Sequence, residues 1–415
     1  MSSARATIIL IVAGFVSLSA GSRSQATQDD GRLRQLLDRY AAGDFAGSVA
    51  DAVGPGGAVA AAGLLSQLRN EAPKWISAQS DPAKAGLRAA SFSLEAAGRL
   101  LDVQARVNEH DDAALAASLA TVVAADNLVE WGCALMRPRS PAASDAERVW
   151  WLASVELLQH HGGGDSLLFG WGRLYSGAPH MPHAQAAIPN SPELALASAM
   201  APVDGGERPA DAMFYVIDGR EEFSAADMRE MALNEGRRRA LVDRPIADPE
   251  SYRLHQRATY AQGLQTAAKR LRLIEGDPRV SAHARVLLGA VALCFTGGRD
   301  AARQYFTAAP AAADADADVR FLAAFLTGRA FERDQRMADA AAAYRRALSI
   351  VPRSSSATMA LAVAEWMTGG QAHAAHLIED ARQTELVTDP WEGFQTHAFD
   401  RWPVLLDQLH GALRR

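Results

Sequence analysis

The spacing of small and aromatic residues in Phe321–Ser354 constrains the fold more than any other feature of the chain. Two helix-length segments of mixed apolar and polar residues are joined there by the polar break Arg333–Arg336. Pro352 follows the second segment and cannot continue a helix, so we expect a pair of closely packed helices that ends there. At about 3.6 residues per turn, each segment presents its small and aromatic residues on one face. Those faces contain Ala324, Gly328 and Phe331 in the first segment, and Ala340, Tyr344 and Ala347 in the second.

This spacing resembles the tetratricopeptide repeat, a helix–turn–helix unit of about 34 residues. The resemblance implies an all-α protein, built as a right-handed α-solenoid in which stacked units bury one another's apolar faces. The whole chain also resembles uncharacterised exported bacterial tetratricopeptide-repeat proteins, including its closing Asp389-Pro390-Trp391 segment. That resemblance brings no particular activity with it.

Two neighbouring units are predicted, because one repeat cannot bury its own apolar face. A shift of 34 residues forward from the central unit gives Ala362, Ala374 and Ala381. A shift of 39 residues back gives Gly289, Ala301 and Ala308, with Tyr305 in the position of Tyr344. We interpret the extra residues, in the low-complexity segment Ala311–Asp318, as a lengthened connection that faces solvent. The predicted regular units are therefore 282–315, 321–354 and 355–388.

The rest of the chain is predicted to consist of successive helices joined by short turns. Its repeats are degenerate in the N-terminal half. Phe214–Ile217 is the only short run of strand-like residues, within a predicted loop. Trp391, Phe394, Phe399 and Trp402 cluster near the end, and we interpret them as a cap rather than an aromatic ligand site. The predicted segments are a signal peptide (1–26), a degenerate helical-repeat region (27–201), a loop or short strand (202–224), a helical region with the regular units (225–388) and a C-terminal capping segment (389–415).

The N-terminus is typical of an export signal. The apolar run Ala6–Ala20 follows Arg5, and small residues that suit cleavage lie at Ala20 and Ala26. A run of about 15 residues is short for a bilayer, which needs about 20, although an uncleaved anchor stays an alternative. We expect an exported protein, periplasmic or extracellular, with no membrane span after cleavage.

Composition and cysteine content restrict the classes of function. Apolar residues make up 49% of the chain and charged residues 22%, which is typical of folded proteins. The net charge of −6 argues against a nucleic-acid partner, which favours a basic stripe. Cys133 and Cys294 both lie among apolar residues on separate predicted helices, so we interpret them as buried thiols rather than a disulfide.

No catalytic motif was found, so we do not expect an enzyme and predict no cofactor. Four histidines, His160, His161, His180 and His183, lie in one loop region and are candidates for a metal site, or are solvated. A second group, His373, His376 and Asp380, shares one helix face that we expect to be solvated. The run Asp218–Glu222 is interpreted as a solvated, charged turn.

A concave binding groove is predicted from the family resemblance. It would be lined by the stripe of each first helix next to its packed face. The central unit contributes Leu322, Phe325, Arg329, Glu332 and Arg333; the preceding unit contributes His283, Val286, Ala290 and Leu293; and the following unit contributes Met359, Val363, Trp366 and Met367. The alternative is that the C-terminal cap folds over this stripe and buries Trp366.

Three functions remain open. The leading hypothesis is a scaffold that binds a protein or peptide in the groove. The others are a metal-binding protein or enzyme that uses the His160–His183 loop, and a structural subunit of a cell-envelope assembly.

Overall fold

The structure is a computed structural model of the chain. It describes residues 23–54, 57–104, 182–200, 209–217, 222–224, 249–383, 389–391 and 402–413, with a few positions elsewhere. Three predictions lie wholly or largely outside these residues: the export signal, the environment of Cys133, and the histidine loop, of which only His183 falls in a described helix, Pro182–Ala187.

The prediction of an all-α protein is confirmed. Among the residues that the structure describes there is no β-strand, and the one isolated bridge joins Phe223 to Phe295. None of the helices in this part of the chain is long and apolar enough to cross a bilayer. The chain divides into two compact units, Met1–Ser144 and Asp145–Arg415, and the finer predicted division into five segments stays a prediction.

In the described part of the first unit, four helices surround an apolar core. They are α1 (Arg23–Ala41), α2 (Phe45–Val53), α3 (Gly57–Ser77) and α4 (Pro82–Gln104). Leu33, Leu37, Leu65, Leu68 and Phe92 are fully buried between them. The spacing of the three α1 positions Leu33, Leu37 and Tyr40 places them on one face, which is the face that enters the core.

A buried hydrogen bond lies at the centre of this first unit. The hydroxyl of Tyr40 donates to Oε1 of Glu95 over 2.6 Å. The Tyr40 ring packs edge-on against Phe45 at 4.9 Å and Phe92 at 5.5 Å. Burial, followed by the Glu95 charge, raises the pKa of Tyr40 well above its ordinary value, so the phenol stays a donor.

The second unit carries the predicted regular repeats. Its helices are α5 (Pro182–Ala187), α6 (Pro192–Ala199), α7 (Pro209–Ile217), α8 (Pro249–Arg272), α9 (Ser281–Leu293), α10 (Arg299–Ala308), α11 (Ala317–Arg333), α12 (Met337–Ile350), α13 (Ser355–Met367), α14 (Gln371–Gln383) and α15 (Trp402–Leu413). From α8 to α14 each helix packs against the next along the chain, and α9 also packs against α11. The final helix, α15, packs against α5 and α6.

The predicted contact between a small residue and an aromatic ring is present in the central pair, α11 and α12. A Cβ placed on Gly328 would lie 2.6 Å from Cζ of Tyr344, so only glycine allows this approach without movement of the ring. Ala340 and Ala347 are fully buried on the same side of α12. The predicted positions of Gly328, Ala340, Tyr344 and Ala347 are therefore confirmed, whereas Ala324 and Phe331 of the predicted packed face are only half-buried.

The register predicted for the second helix of the preceding pair is wrong by one residue. Phe306, not Tyr305, packs on Gly289, and a Cβ there would lie 2.8 Å from Cδ1 of Phe306. The buried alanines are Ala302 and Ala309, whereas Ala301 is exposed and Ala308 is half-buried. The reason is that one more residue separates Gly289 from its second helix than separates Gly328 from α12.

The turns inside the three pairs share a backbone feature. Gly297 (φ 82°), Gln335 (φ 59°) and Gly369 (φ 89°) each lie in the turn between the two helices of a pair. The number of residues from one of these turn residues to the next equals the number between equivalent buried residues of α10, α12 and α14. Gln335 adopts a left-handed backbone conformation that favours glycine. The turn that the three pairs have in common stabilises this conformation.

Two further expectations are corrected. Phe214–Ile217 is not a strand but the end of α7, because Pro209 suits a first helical position and Ala212, Met213, Val216 and Ile217 form one buried helical face. The Ala311–Asp318 connection is not simply solvent-facing. Asp314 is buried and accepts a hydrogen bond from the amide of Ala282 at the start of α9, over 3.0 Å.

Candidate binding surface

The structure places the predicted groove residues in two different environments. On α9 and the first part of α11 they are buried in the core, which corrects the expectation that they line an open groove. The buried members are His283, Val286, Ala290, Leu293, Leu322 and Phe325. On α13 the equivalent residues are exposed.

Helix α7 packs against α9, while His283 at the start of the predicted stripe is paired with Asp314 and Asp316 of the α10–α11 connection. The apolar face of α7, including Met213 and Val216, joins the same core as Val286 and Leu293. Arg333 of α11 fixes this arrangement, because its guanidinium donates to the carbonyl of Val216, near the end of α7, and to that of Leu293, the last residue of α9. A cation is favourable at a helix C-terminus, so Arg333 stabilises the ends of both α7 and α9. Its guanidinium therefore has structural partners and does not line an open groove.

The short segment Glu222–Ser224 lies beside this arginine and pairs through its main chain. The amide of Phe223 donates to the carbonyl of Cys294 over 2.9 Å, and the amide of Thr296 donates to the carbonyl of Phe223 over 3.0 Å. The Phe223 ring lies 5.8 Å from that of Phe295 and under the Arg257 guanidinium at 5.3 Å. The segment is therefore held by backbone, aromatic and cation–π contacts together.

A charge network surrounds the segment. Nε and Nη2 of Arg299 donate to Oε1 of Glu222 over 3.1 and 3.0 Å, and Nη1 donates to Oδ1 of Asp334 over 2.9 Å. Arg303 donates to the other oxygen of Asp334. Burial would raise the pKa of Asp334, but these hydrogen bonds from Arg299 and Arg303 outweigh it and hold the pKa below its ordinary value.

The C-terminal segment covers part of α11. The Trp391 ring lies 5.3 Å from that of Phe325, and Phe394 stacks on Trp391 at 5.8 Å. Asp389 anchors this segment at the start of α13, where it accepts hydrogen bonds from the Ser354 hydroxyl and from the amide of Ser356 over 3.0 Å. The alternative that a C-terminal cap folds back over the stripe therefore holds for Phe325, but not for Trp366.

The exposed stripe consists of Met359, Val363, Trp366 and Met367 on α13. Their exposed fractions are 49%, 53%, 54% and 61%. The part of the chain that the structure describes has six exposed large apolar side chains, and four of them are these. The concentration on one helix face distinguishes this stripe from isolated surface residues.

Arg329 and Glu332 lie at the predicted groove positions on α11 and remain partly exposed. They pair with one another over 3.2 Å, and the Arg329 guanidinium lies over the Phe325 ring at 5.4 Å. They add a polar feature to this part of the molecule, while the α13 stripe itself carries no charge.

The other candidate residues do not form a reactive centre. His373 and His376 are exposed on α14, 3.7 Å from Glu365 and 2.8 Å from Asp380 respectively. No group of three or more His, Cys, Asp or Glu that could hold a metal ion occurs in the described ranges. The Glu222 end of the Asp218–Glu222 run is buried in the charge network, which corrects its interpretation as a solvated turn.

Cys294 is a buried, free thiol, as the sequence predicts. Burial raises its pKa to about 12. The thiol therefore stays protonated and unreactive in the folded protein at neutral pH.

Comparison with known proteins gives no relative. A scan against protein-family models found no match, and a search of curated proteins found no similar sequence. The functional argument consequently rests on the residues of this chain.

Sequence reasoning missed the network of Glu222, Arg299 and Arg333. The only signal for it is the presence of charged residues at the ends of predicted apolar helices, which is common on solvated surfaces. The distance along the chain between Glu222 and Arg333 is 111 residues, so no local pattern could pair them.

Proposed function

We propose that the protein is an exported helical-repeat scaffold of the tetratricopeptide type, which binds a protein or peptide through the α13 stripe. The packing of successive helix pairs supports a solenoid arrangement of α9 to α14. Two features that recur between pairs support quasi-equivalent units. These are the glycine–aromatic contact, at Gly289 and Gly328, and the positive-φ turn residue.

The observation that carries the binding proposal is the exposure of the α13 stripe. The equivalent positions are buried on α9 and at Phe325 of α11, are partly exposed at Arg329 and Glu332, and are about half exposed on α13. Methionine adapts to irregular partner surfaces, and tryptophan is enriched among residues that dominate binding energy. A binding site explains why four such side chains are retained on one face.

Export is proposed from the apolar run Ala6–Ala20 alone. Mass determination of the mature protein should show the loss of roughly 20–26 residues, the usual length of such signals. A soluble cytoplasmic product that retains Met1 would contradict this part of the proposal.

Co-purification from the exported fraction tests the binding function. We expect Trp366→Ala to reduce partner recovery at least about tenfold, since removal of a central tryptophan weakens binding by more than about 1.4 kcal/mol. Leu273→Ala is the matched control, because Leu273 is 86% exposed but stands alone. Equal recovery by wild type and a folded Trp366→Ala variant would contradict binding through this stripe.

A further inference from the structure

The α13 stripe has the dimensions of a site for one short structural element. Met359 and Met367 are eight residues apart, which corresponds to about 12 Å along the helix. The four side chains, each about half exposed, present on the order of 400 Å². A stable interface between two protein surfaces buries about 800 Å² on each partner, so the stripe alone is too small to hold a second copy of this chain.

The chain itself packs a short helix on the first helix of another pair. Helix α7 has nine residues, contacts α9 and buries Ala212, Met213, Val216 and Ile217. Arg333 joins its end to Leu293, one of the equivalent positions on α9. A nine-residue helix is about 13 Å long, which matches the length of the α13 stripe. The fold of this chain therefore already includes a short amphipathic helix packed on the first helix of a pair.

The chemistry of the stripe also favours a helical occupant over an extended one. An extended peptide needs main-chain partners, as Phe223 finds in the main chain of Cys294 and Thr296. The α13 stripe offers apolar side chains only, on a helix whose own carbonyls are used in helical hydrogen bonds. A helix satisfies its main chain internally and needs only an apolar face from its host.

We propose that the α13 stripe binds an amphipathic helix of about three turns from a partner protein, through apolar residues spaced three and four apart. This inference rests on the proposed binding function and specifies its partner. The helix lies along α13, because the apolar surface extends 12 Å along that helix and is one side chain wide.

Site-specific photo-cross-linking of the full chain in the producing cells tests this inference. Benzoylphenylalanine replaces Met359 in one variant and Met367 in another, and Leu273 in a control. Tandem mass spectrometry then locates each adduct on the partner. Circular dichroism and the melting temperature establish that each variant is folded, as we expect for exposed positions.

The spacing of the two adducts discriminates between the partner conformations. A helical partner should be labelled by the two variants at positions about eight residues apart, since both helices rise about 1.5 Å per residue. An extended partner rises about 3.3 Å per residue, so its adducts should be about four residues apart. Trp366→Ala should lower the yield of both adducts at least about tenfold.

The remaining outcomes separate this inference from the function on which it rests. Adducts four or fewer residues apart overturn the helical partner and leave the binding function in place. Adducts to a second copy of this chain or to lipid overturn the inference, as does labelling from Met359 and Met367 that is no stronger than labelling from the Leu273 control. No adduct from any position overturns both proposals.

Discussion

Replacement of Gly328 by alanine measures how closely α11 and α12 must approach. The added Cβ would lie 2.6 Å from Cζ of Tyr344, well inside van der Waals contact. The ring has little room to move, because it is fully buried and lies 5.6 Å from the Phe325 ring. Overpacking of this kind costs about 1–3 kcal/mol, and the higher helix propensity of alanine offsets about 1 kcal/mol. We expect a net loss of up to about 2 kcal/mol in the free energy of unfolding.

Gly63→Ala is the matched control for helix propensity. Gly63 lies within α3, and a Cβ there meets no atom within 4 Å. Alanine should therefore stabilise at this position, by up to about 1 kcal/mol. The two substitutions are chemically identical and should change stability in opposite directions.

Urea unfolding, followed by circular dichroism at the helical band, gives the change in unfolding free energy for each glycine variant. A double variant tests whether the Tyr344 ring causes the loss at Gly328. Tyr344→Leu removes the ring, so Gly328→Ala should be less destabilising in that background than in wild type. The packing argument would be refuted if Gly328→Ala were as stabilising as Gly63→Ala, or if its effect were the same with and without the Tyr344 ring.

Four further outcomes are expected. Arg333→Met should destabilise the protein by about 3 kcal/mol, because it leaves two helix-terminal carbonyls without their donor and removes one of the two arginines beside Glu222; an unchanged urea midpoint would contradict the proposed role. The pKa of Asp334 is lowered in the folded protein, so its contribution is present above its ordinary pKa of 3.8 and is lost as pH falls through the folded value; the stability difference between wild type and Asp334→Asn should shrink as the pH drops below about 4. Cys294 should resist a thiol reagent at pH 8 until the protein is unfolded, since its pKa is about 12; rapid labelling of the native protein at this position would show that it is accessible. Gly369→Ala should cost about 1 kcal/mol in thermal unfolding because of its φ of 89°, although the added Cβ meets open space; no loss would show that the turn relaxes freely.

The sequence predicts the central helix pair well because its informative residues are rare types. Glycine and tyrosine at Gly328 and Tyr344 fix a close approach that few other arrangements satisfy. The preceding pair is harder to align, because Ala301 and Ala302 are chemically identical and so are Ala308 and Ala309. A turn longer by one residue then shifts the register without any change in composition.

The candidate site is predicted less well than the helices, for a physical reason. A helical period tells which residues share a face, but not what covers that face. Phe325 and Met359 occupy equivalent positions, yet one is buried under Trp391 and the other is half exposed. What decides between them is the path of distant segments, and a short apolar run such as Phe214–Ile217 does not reveal even its own secondary structure.

The hydrogen bond from Arg333 to the carbonyl of Val216 has a consequence for the order in which the protein folds. It joins residues 117 positions apart, whereas the helices from α9 to α14 each contact their neighbours in the chain. Local contacts form early because their loop-closure entropy is small, and long-range contacts form late. The helix pairs should therefore assemble first, and α7 and the Glu222–Ser224 segment should dock onto them afterwards. Arg333→Met should then accelerate unfolding and leave the folding rate almost unchanged. Arg333 therefore stabilises the native state by lowering its rate of unfolding.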